Sequence, residues 1–67
     1  MAITQTSERL LRKPAVLDMT GMGATLLHEM VREGRFPRPI KLSARAVAWP
    51  ESAVQAWIAD RVKEGRR

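Results

Sequence analysis

The architecture of this chain depends most on residues 33–49, which read EGRFPRPIKLSARAVAW. Pro37 and Pro39 flank a single residue, remove two amide donors and hold the backbone extended, so this part cannot be helical. Phe36 comes directly before them. We expect its ring to anchor the extended segment in the core.

The second half of the stretch predicts a β-hairpin. Residues 40–42 (IKL) and 47–49 (VAW) are separated by SARA, and this spacing is typical of strand, turn and strand. The turn lacks the Asn-Gly or Asp-Gly pair that favours the tightest hairpins, so its type stays open. Alternation predicts that four side chains share one apolar face: Ile40, Leu42, Val47 and Trp49.

A helix is predicted before this stretch. Gly34 ends it, and Arg32 lies in its last turn. Four apolar residues recur at helical spacing and define a buried stripe: Leu26, Leu27, Met30 and Val31. The opposite face carries four polar side chains: Thr25, His28, Glu29 and Arg32.

A shorter helix precedes that one. Pro14 suits the first position of a helix, where its fixed φ helps and its missing N–H costs nothing. Residues 15–19 continue the helix, and Gly21 suits the left-handed conformation that follows many helices. Two short helices joined by a glycine-containing turn of about three residues are the outline of a helix-turn-helix.

A third helix follows the hairpin. Pro50 opens it, and Glu51 lies where a carboxylate interacts favourably with the helix dipole. Its predicted core face consists of Val54, Trp57, Ile58 and Val62. The predicted fold is therefore α+β, a small winged helix-turn-helix in the order helix, helix, two-stranded wing, helix.

The predicted domain spans residues 9–63, between a disordered segment at residues 1–8 and a basic tail at residues 64–67. Residues 8–13 (ERLLRK) hold a short apolar pair between charges. They fit either one brief strand or an extended lead-in to the first helix.

The charge of the chain is strongly positive. Among 67 residues, 12 Lys and Arg stand against 7 Asp and Glu, for a net charge of +5. This favours a polyanionic partner, with nucleic acid ahead of an acidic membrane surface. Solubility alone is the alternative explanation.

The composition argues against several other classes of protein. There is no cysteine, so neither a disulfide nor a thiolate metal site can stabilise this small domain. No segment approaches the ~18 apolar residues of a membrane span. The opening MAITQTS has no secretory pattern, so we expect a cytoplasmic protein.

Catalysis is not expected either. His28 is the only histidine and has no evident nucleophile partner, so we expect no catalytic residue, no metal and no cofactor. Trp49 and Trp57 could stack on single-stranded bases. Their positions on predicted apolar faces favour packing in the core instead.

Three parts of the chain resemble the AlpA-type regulators and related phage excisionases, small proteins with a MerR-like winged helix. They are residues 17–22 (LDMTGM), residues 32–42 (REGRFPRPIKL), and VAW at 47–49 together with AWI at 56–58. The resemblance covers about residues 9–63. It implies a DNA-binding protein of a mobile element, either a transcriptional regulator or a directionality factor that bends DNA and steers an integrase toward excision.

Candidate DNA contacts follow from the predicted fold. Side chains near the start of a helix in the major groove read base edges, which favours Thr25, His28, Glu29 and Arg32. Four basic residues and no acidic one lie between Arg35 and Trp49: Arg35, Arg38, Lys41 and Arg45. Arg45, at the tip of the wing, suits a narrow minor groove, and Arg12 and Lys13 suit the phosphate backbone. An ordinary solvated surface is the alternative for each group.

The predicted DNA-reading helix, which carries Thr25, His28, Glu29 and Arg32, departs from the AlpA-type pattern in a way that bears on function. His28 stands where an aromatic hydroxyl is usual, and Glu29 where a basic residue is common. A protein with weak base readout and a basic surface gains selectivity by loading several adjacent copies and bending the DNA between them.

The preferred function is therefore a recombination directionality factor on double-stranded DNA. It would associate head to tail with copies of itself and work with a site-specific integrase. The close alternative is an AlpA-type transcriptional regulator on promoter DNA. A more distant alternative is a protein-interaction module whose charge serves only solubility.

Overall fold

The computed structural model describes residues 8–66, and its elements follow the predicted order. In chain order they are β1 (Leu10–Leu11), α1 (Lys13–Thr20), α2 (Ala24–Arg32), β2 (Ile40–Ser43), β3 (Ala46–Pro50) and α3 (Glu51–Gly65). The α+β winged helix-turn-helix is thereby confirmed, with the β2–β3 hairpin as the wing. Residues 1–7 of the segment expected to be disordered lie outside the described residues. At the other end, α3 extends two residues into the segment expected as a basic tail.

The wing has a third strand on its inner edge. The antiparallel sheet has the order β1-β3-β2, with Leu10 paired to Pro50 and Leu11 to Trp49. Residues 8–13 therefore hold a brief strand rather than only an extended lead-in. Because β1 comes directly before α1, it joins the start of the helix-turn-helix to the centre of the sheet.

The register of the wing contradicts the predicted apolar face. Ile40 pairs with Ala48, and paired residues point to the same side of a sheet, so Ile40 faces away from Trp49. Ile40, Leu42 and Val47 are 45%, 46% and 37% exposed, whereas Ala48 and Trp49, next to each other, are both buried. The prediction was wrong because β2 is an edge strand with no buried residue, and because the central strand β3 is covered only at Ala48 and Trp49 and not at Val47, nearer the tip of the wing.

Each of the two predicted apolar stripes, on α2 and on α3, included one residue that is exposed in the structure. Leu27 is buried, but Leu26 is 47% exposed, because adjacent residues lie about 100° apart around a helix. In α3, Val54 is buried but Val62 is 47% exposed, because it lies beyond the last residue packed on the core. The buried cluster consists of Leu11, Val16, Leu27, Phe36, Trp49 and Val54, and the other predicted stripe residues pack against it.

Glycine ends both helices of the helix-turn-helix. Gly34 has a φ of 76°; its N–H donates to the Val31 carbonyl at 3.1 Å, and the Arg35 N–H donates to Met30 at 2.8 Å. These two bonds form a Schellman motif, which turns the chain out of α2 into the extended segment. Gly21, also at 76°, ends α1 by donating to Leu17 at 2.8 Å.

The extended segment is held by both tryptophans. The Phe36 ring packs edge-on against them, with centroid distances of 6.5 Å to Trp49 and 4.9 Å to Trp57. Trp49 Nε1 donates to the Pro37 carbonyl and Trp57 Nε1 to the Arg35 carbonyl, each at 2.9 Å. Both indoles are therefore packing groups, as predicted, and they satisfy carbonyls of a segment that belongs to no helix or strand.

The start of α3 is capped from a distant part of the chain. Pro50 offers no side-chain cap, and Glu8 supplies one instead, accepting from the Ser52 N–H at 3.0 Å and from the Ser52 hydroxyl. Hydrogen bonds from the Ser52 side chain and backbone hold the pKa of Glu8 below its ordinary value. The Glu51 N–H donates to the Arg9 carbonyl at 2.7 Å, so residues 8 and 9 join the end of the sheet to α3.

Candidate nucleic-acid interface

The outer face of α2 carries an open depression between its own side chains, which we call the α2 groove. The four polar residues predicted for this face are all exposed. Together with one alanine they line the groove: Ala24, Thr25, His28, Glu29 and Arg32. Burial of Leu27 on the opposite side of α2 fixes this orientation.

The charges in the α2 groove are mixed. Within residues 8–66, neither Glu29 nor Arg32 forms an ion pair. The Arg32 guanidinium, in the last turn of α2, is therefore available to an anion. The Glu29 carboxylate places a negative charge in the same groove and opposes that anion.

Lys13 and His28 meet at the edge of the α2 groove. Lys13 Nζ, on the first turn of α1, lies 2.7 Å from His28 Nε2. An ammonium carries only donors, so Lys13 donates and Nε2 accepts, which places the proton of a neutral imidazole on Nδ1. Sequence reasoning put these two residues in separate groups, and nothing in their 15-residue separation predicts that they touch.

A second, apolar depression lies between α2 and the wing; we call it the cleft. Its volume is about 140 Å³. His28 lines both the cleft and the α2 groove, so the two depressions adjoin at this residue. The residues that line the cleft are Lys13, Leu27, His28, Val31, Pro39, Val47 and Trp49.

The tip of the wing presents Arg45. Ser43 pairs with Ala46, which leaves a two-residue turn of Ala44 and Arg45. No described residue other than glycine has a positive φ, so the turn is not of type I′, and a register shift between Lys41 and Ser43 accompanies it. The Arg45 side chain is exposed and forms no ion pair with the described residues.

The remaining candidate cations lie in different surroundings. Arg35 Nη1 is 3.6 Å from Glu33 Oε1, so part of its charge is already balanced. Arg38 and Lys41 are exposed and unpaired among residues 8–66, and Arg12 is the exposed N-cap residue of α1. The structure thus joins Lys13 to the α2 groove and keeps Arg12 at the start of α1. The other candidate cations, Arg35, Arg38, Lys41 and Arg45, are spread along the α2–β2 connection and the wing.

The described residues hold no group of three or more side chains that could bind a metal ion. Among the same residues, no helix has the length and apolarity needed to cross a bilayer.

Fold and surface together define a small winged helix-turn-helix protein whose second helix exposes a polar groove beside a wing with unpaired cations. Residues 9–62 match the family described as "Prophage CP4-57 regulatory protein (AlpA)". The chain belongs to this family, which confirms the resemblance of its motifs. It is accordingly a regulatory protein and not an enzyme.

Two relatives are similar over most of the chain. "Uncharacterized protein ORF88" of Enterobacteria phage P4 is 39% identical over 62 residues, covering 92% of this chain and 70% of the relative. "DNA-binding transcriptional activator AlpA" of Escherichia coli (strain K12) is 28% identical over 65 residues, covering 88% of this chain and 93% of the relative. No solved structure matches this chain.

Proposed function

We propose that this protein binds duplex DNA as an accessory factor of a mobile element and acts as a recombination directionality factor. The observation that carries the proposal is the exposed α2 groove beside a wing whose cations, Lys41 and Arg45, form no ion pair with the described residues. The chain as a whole has a net charge of +5. The name of the Escherichia coli relative, a DNA-binding transcriptional activator, supports duplex DNA as the partner. Its place of action would be the cytoplasm, where bacterial DNA lies.

The docking we propose places α2 in the major groove and the wing on the adjacent minor groove. Thr25, Glu29 and Arg32 face base edges from α2, while Arg45 enters the minor groove. Phosphate contacts position the protein and supply most of the affinity. They come from Arg12, Lys13, Arg35, Arg38 and Lys41.

Weak base readout favours the directionality factor over a protein that reads one site. The α2 groove offers few donors, and Glu29 repels phosphates. Even in well-read sites a mismatched base pair costs only about 1–3 kcal/mol. Selectivity therefore comes from several copies that contact one another head to tail and bend the DNA between them. The exposed Ile40 and Leu42 of edge strand β2 offer apolar surface for such contacts, and a site-specific integrase is the expected partner.

The second candidate is a transcriptional regulator that binds promoter DNA, and the name of the Escherichia coli relative favours it. Footprinting on the DNA that flanks the protein's own gene separates the two functions. Protection of tandem repeats at an attachment site is the result expected for excision, and protection of a promoter is the result expected for regulation. Failure to bind bare duplex DNA at low salt would contradict both and favour a protein-interaction module.

A further inference from the structure

We infer that the cleft between α2 and the wing seats one DNA backbone strand, with Lys13 on a phosphate and His28 acting through Lys13 rather than on a base. The inference rests on the proposed binding of duplex DNA. It assigns the cleft a ligand, one sugar–phosphate unit, and it changes the expected role of His28.

The first step concerns the shape of duplex DNA. Major and minor grooves are separated by a single sugar–phosphate strand. When α2 occupies the major groove and the wing the adjacent minor groove, that strand has to pass between α2 and the wing. On this protein the space between them is the cleft, which adjoins the α2 groove at His28.

The second step concerns the chemistry of the cleft. Apart from Lys13 and His28, its lining side chains are Leu27, Val31, Pro39, Val47 and Trp49, and the one polar atom among these, Trp49 Nε1, already donates to Pro37. A backbone unit has matching character, with the C–H surface of a deoxyribose beside an anionic phosphate.

The third step concerns the contact between Lys13 and His28. Lys13 gives one N–H to His28 Nε2, and the other two N–H groups of an ammonium stay available for a phosphate. Because Nε2 is engaged as an acceptor, that atom cannot donate to a guanine or a phosphate. His28 is therefore a positioning residue that holds a flexible side chain at the mouth of the cleft before DNA arrives.

The experiment measures binding to duplex DNA over a series of salt concentrations by fluorescence anisotropy. With about five phosphates contacted, wild-type protein should give a log–log slope near −4.5, since each contact contributes about −0.9. Lys13→Gln should flatten the slope by about 0.9. Lys63→Gln, on the last turn of α3, removes the same charge and should leave the slope closer to that of the wild type.

A double-mutant cycle tests the role of His28. We expect His28→Ala to weaken binding in the wild-type background and to have no further effect once Lys13 is Gln, because coupled residues are not additive. His28→Gln, whose amide oxygen can accept from Lys13, should restore binding. Additive effects of His28→Ala and Lys13→Gln would show that His28 acts on DNA by itself.

Occupancy of the cleft is tested with a charge placed in it. Val47 is 37% exposed and Val62 is 47% exposed, so Val47→Asp and Val62→Asp make the same change at surfaces that tolerate it, as thermal unfolding can verify. Val47→Asp should weaken binding roughly tenfold more than Val62→Asp, because a like charge against a phosphate is strongly unfavourable. Equal effects of these two variants, or equal slopes for Lys13→Gln and Lys63→Gln, would overturn the inference. A wild-type slope near zero would instead overturn DNA binding itself.

Discussion

Glu29 and His28 are adjacent in the α2 groove, and in the docking we propose neither is a strong base reader. Glu29 brings a negative charge that no described cation balances, and His28 Nε2 is engaged by Lys13. At the scale of single residues, Thr25 and Arg32 are thus the main donors left for base edges on α2. Affinity then depends on cations that lie outside this helix.

Arg45 is the residue for which the wing gives the clearest prediction. Arg45→Ala should weaken DNA binding by about 1 kcal/mol or more, because a minor-groove contact is lost. Titration at fixed salt measures this, with Arg66→Ala, at the end of α3, as the control of equal charge. Unchanged binding would mean that the hairpin only supports the core.

The cap that Glu8 makes on Ser52 predicts that folding depends on pH. Its pKa in the folded state lies below the ordinary 4.5 because Ser52 hydrogen-bonds the carboxylate. The resulting stabilisation is present above the unfolded-state pKa and is lost as the pH falls through the lower folded-state pKa. We expect the Tm of the wild type to fall more steeply on acidification than the Tm of Glu8→Gln. Glu64→Gln, on the last turn of α3, is the control. If the Tm of the wild type and the Tm of Glu8→Gln fell equally on acidification, Glu8 would not stabilise the start of α3.

At the scale of elements, the extended segment after α2 depends on the two tryptophans. Residues 35–37 belong to no helix or strand, and indole donors from β3 and α3 satisfy two of their carbonyls. Phe36 packs edge-on against both indole rings. This cluster fixes the path from α2 to the wing and therefore the position of the wing beside α2.

Trp57→Ala tests this cluster. The substitution removes the contact with Phe36 and the hydrogen bond to Arg35. Cutting a fully buried aromatic to alanine costs about 3–5 kcal/mol, and because Trp57 is only partly buried we expect a loss below that range. A domain this small has little stability to lose, so the loss should still be a large share of its free energy of unfolding. Urea denaturation measures the loss, with Val62→Ala on the exposed part of α3 as the control. A folded Trp57→Ala protein that has lost only DNA binding would make Trp57 a contact residue instead.

At the scale of the whole molecule, size limits what one copy can do. The chain is elongated, with extents of 47 × 31 × 20 Å, and it has one recognition helix and one wing. A single copy therefore covers only a short stretch of duplex. Its net charge of +5 favours any DNA sequence, and in the function we propose discrimination among sites depends on how many copies bind side by side.

Cooperativity distinguishes the directionality factor from the simple regulator. We expect a monomer in solution, with several copies loading cooperatively on a multi-site fragment and bending it. Gel-shift titration with a permuted-position bending assay measures both properties, and a fragment with one site is the control. A single 1:1 complex, or a preformed dimer on straight DNA, would rule out the directionality-factor mechanism and favour the regulator.

Local chemistry made most of the fold predictable from the sequence. Pro14 and Pro50 mark helix starts, Gly21 and Gly34 mark helix ends, and the spacing around SARA marks the hairpin. Each of these signals acts through bonds or dihedral angles within a few residues. The family motifs, confirmed by the match over residues 9–62, likewise depend on nearby residues.

Tertiary structure alone decided which apolar residues are covered and which polar groups meet. Periodicity placed Ile40, Leu26 and Val62 on faces predicted to be buried. It could not show that a 67-residue chain has no element that covers them. The contact of Lys13 with His28 and the cap that Glu8 makes on Ser52 join residues 15 and 44 positions apart. Such contacts depend on how the elements pack against one another, which no local pattern of residues encodes.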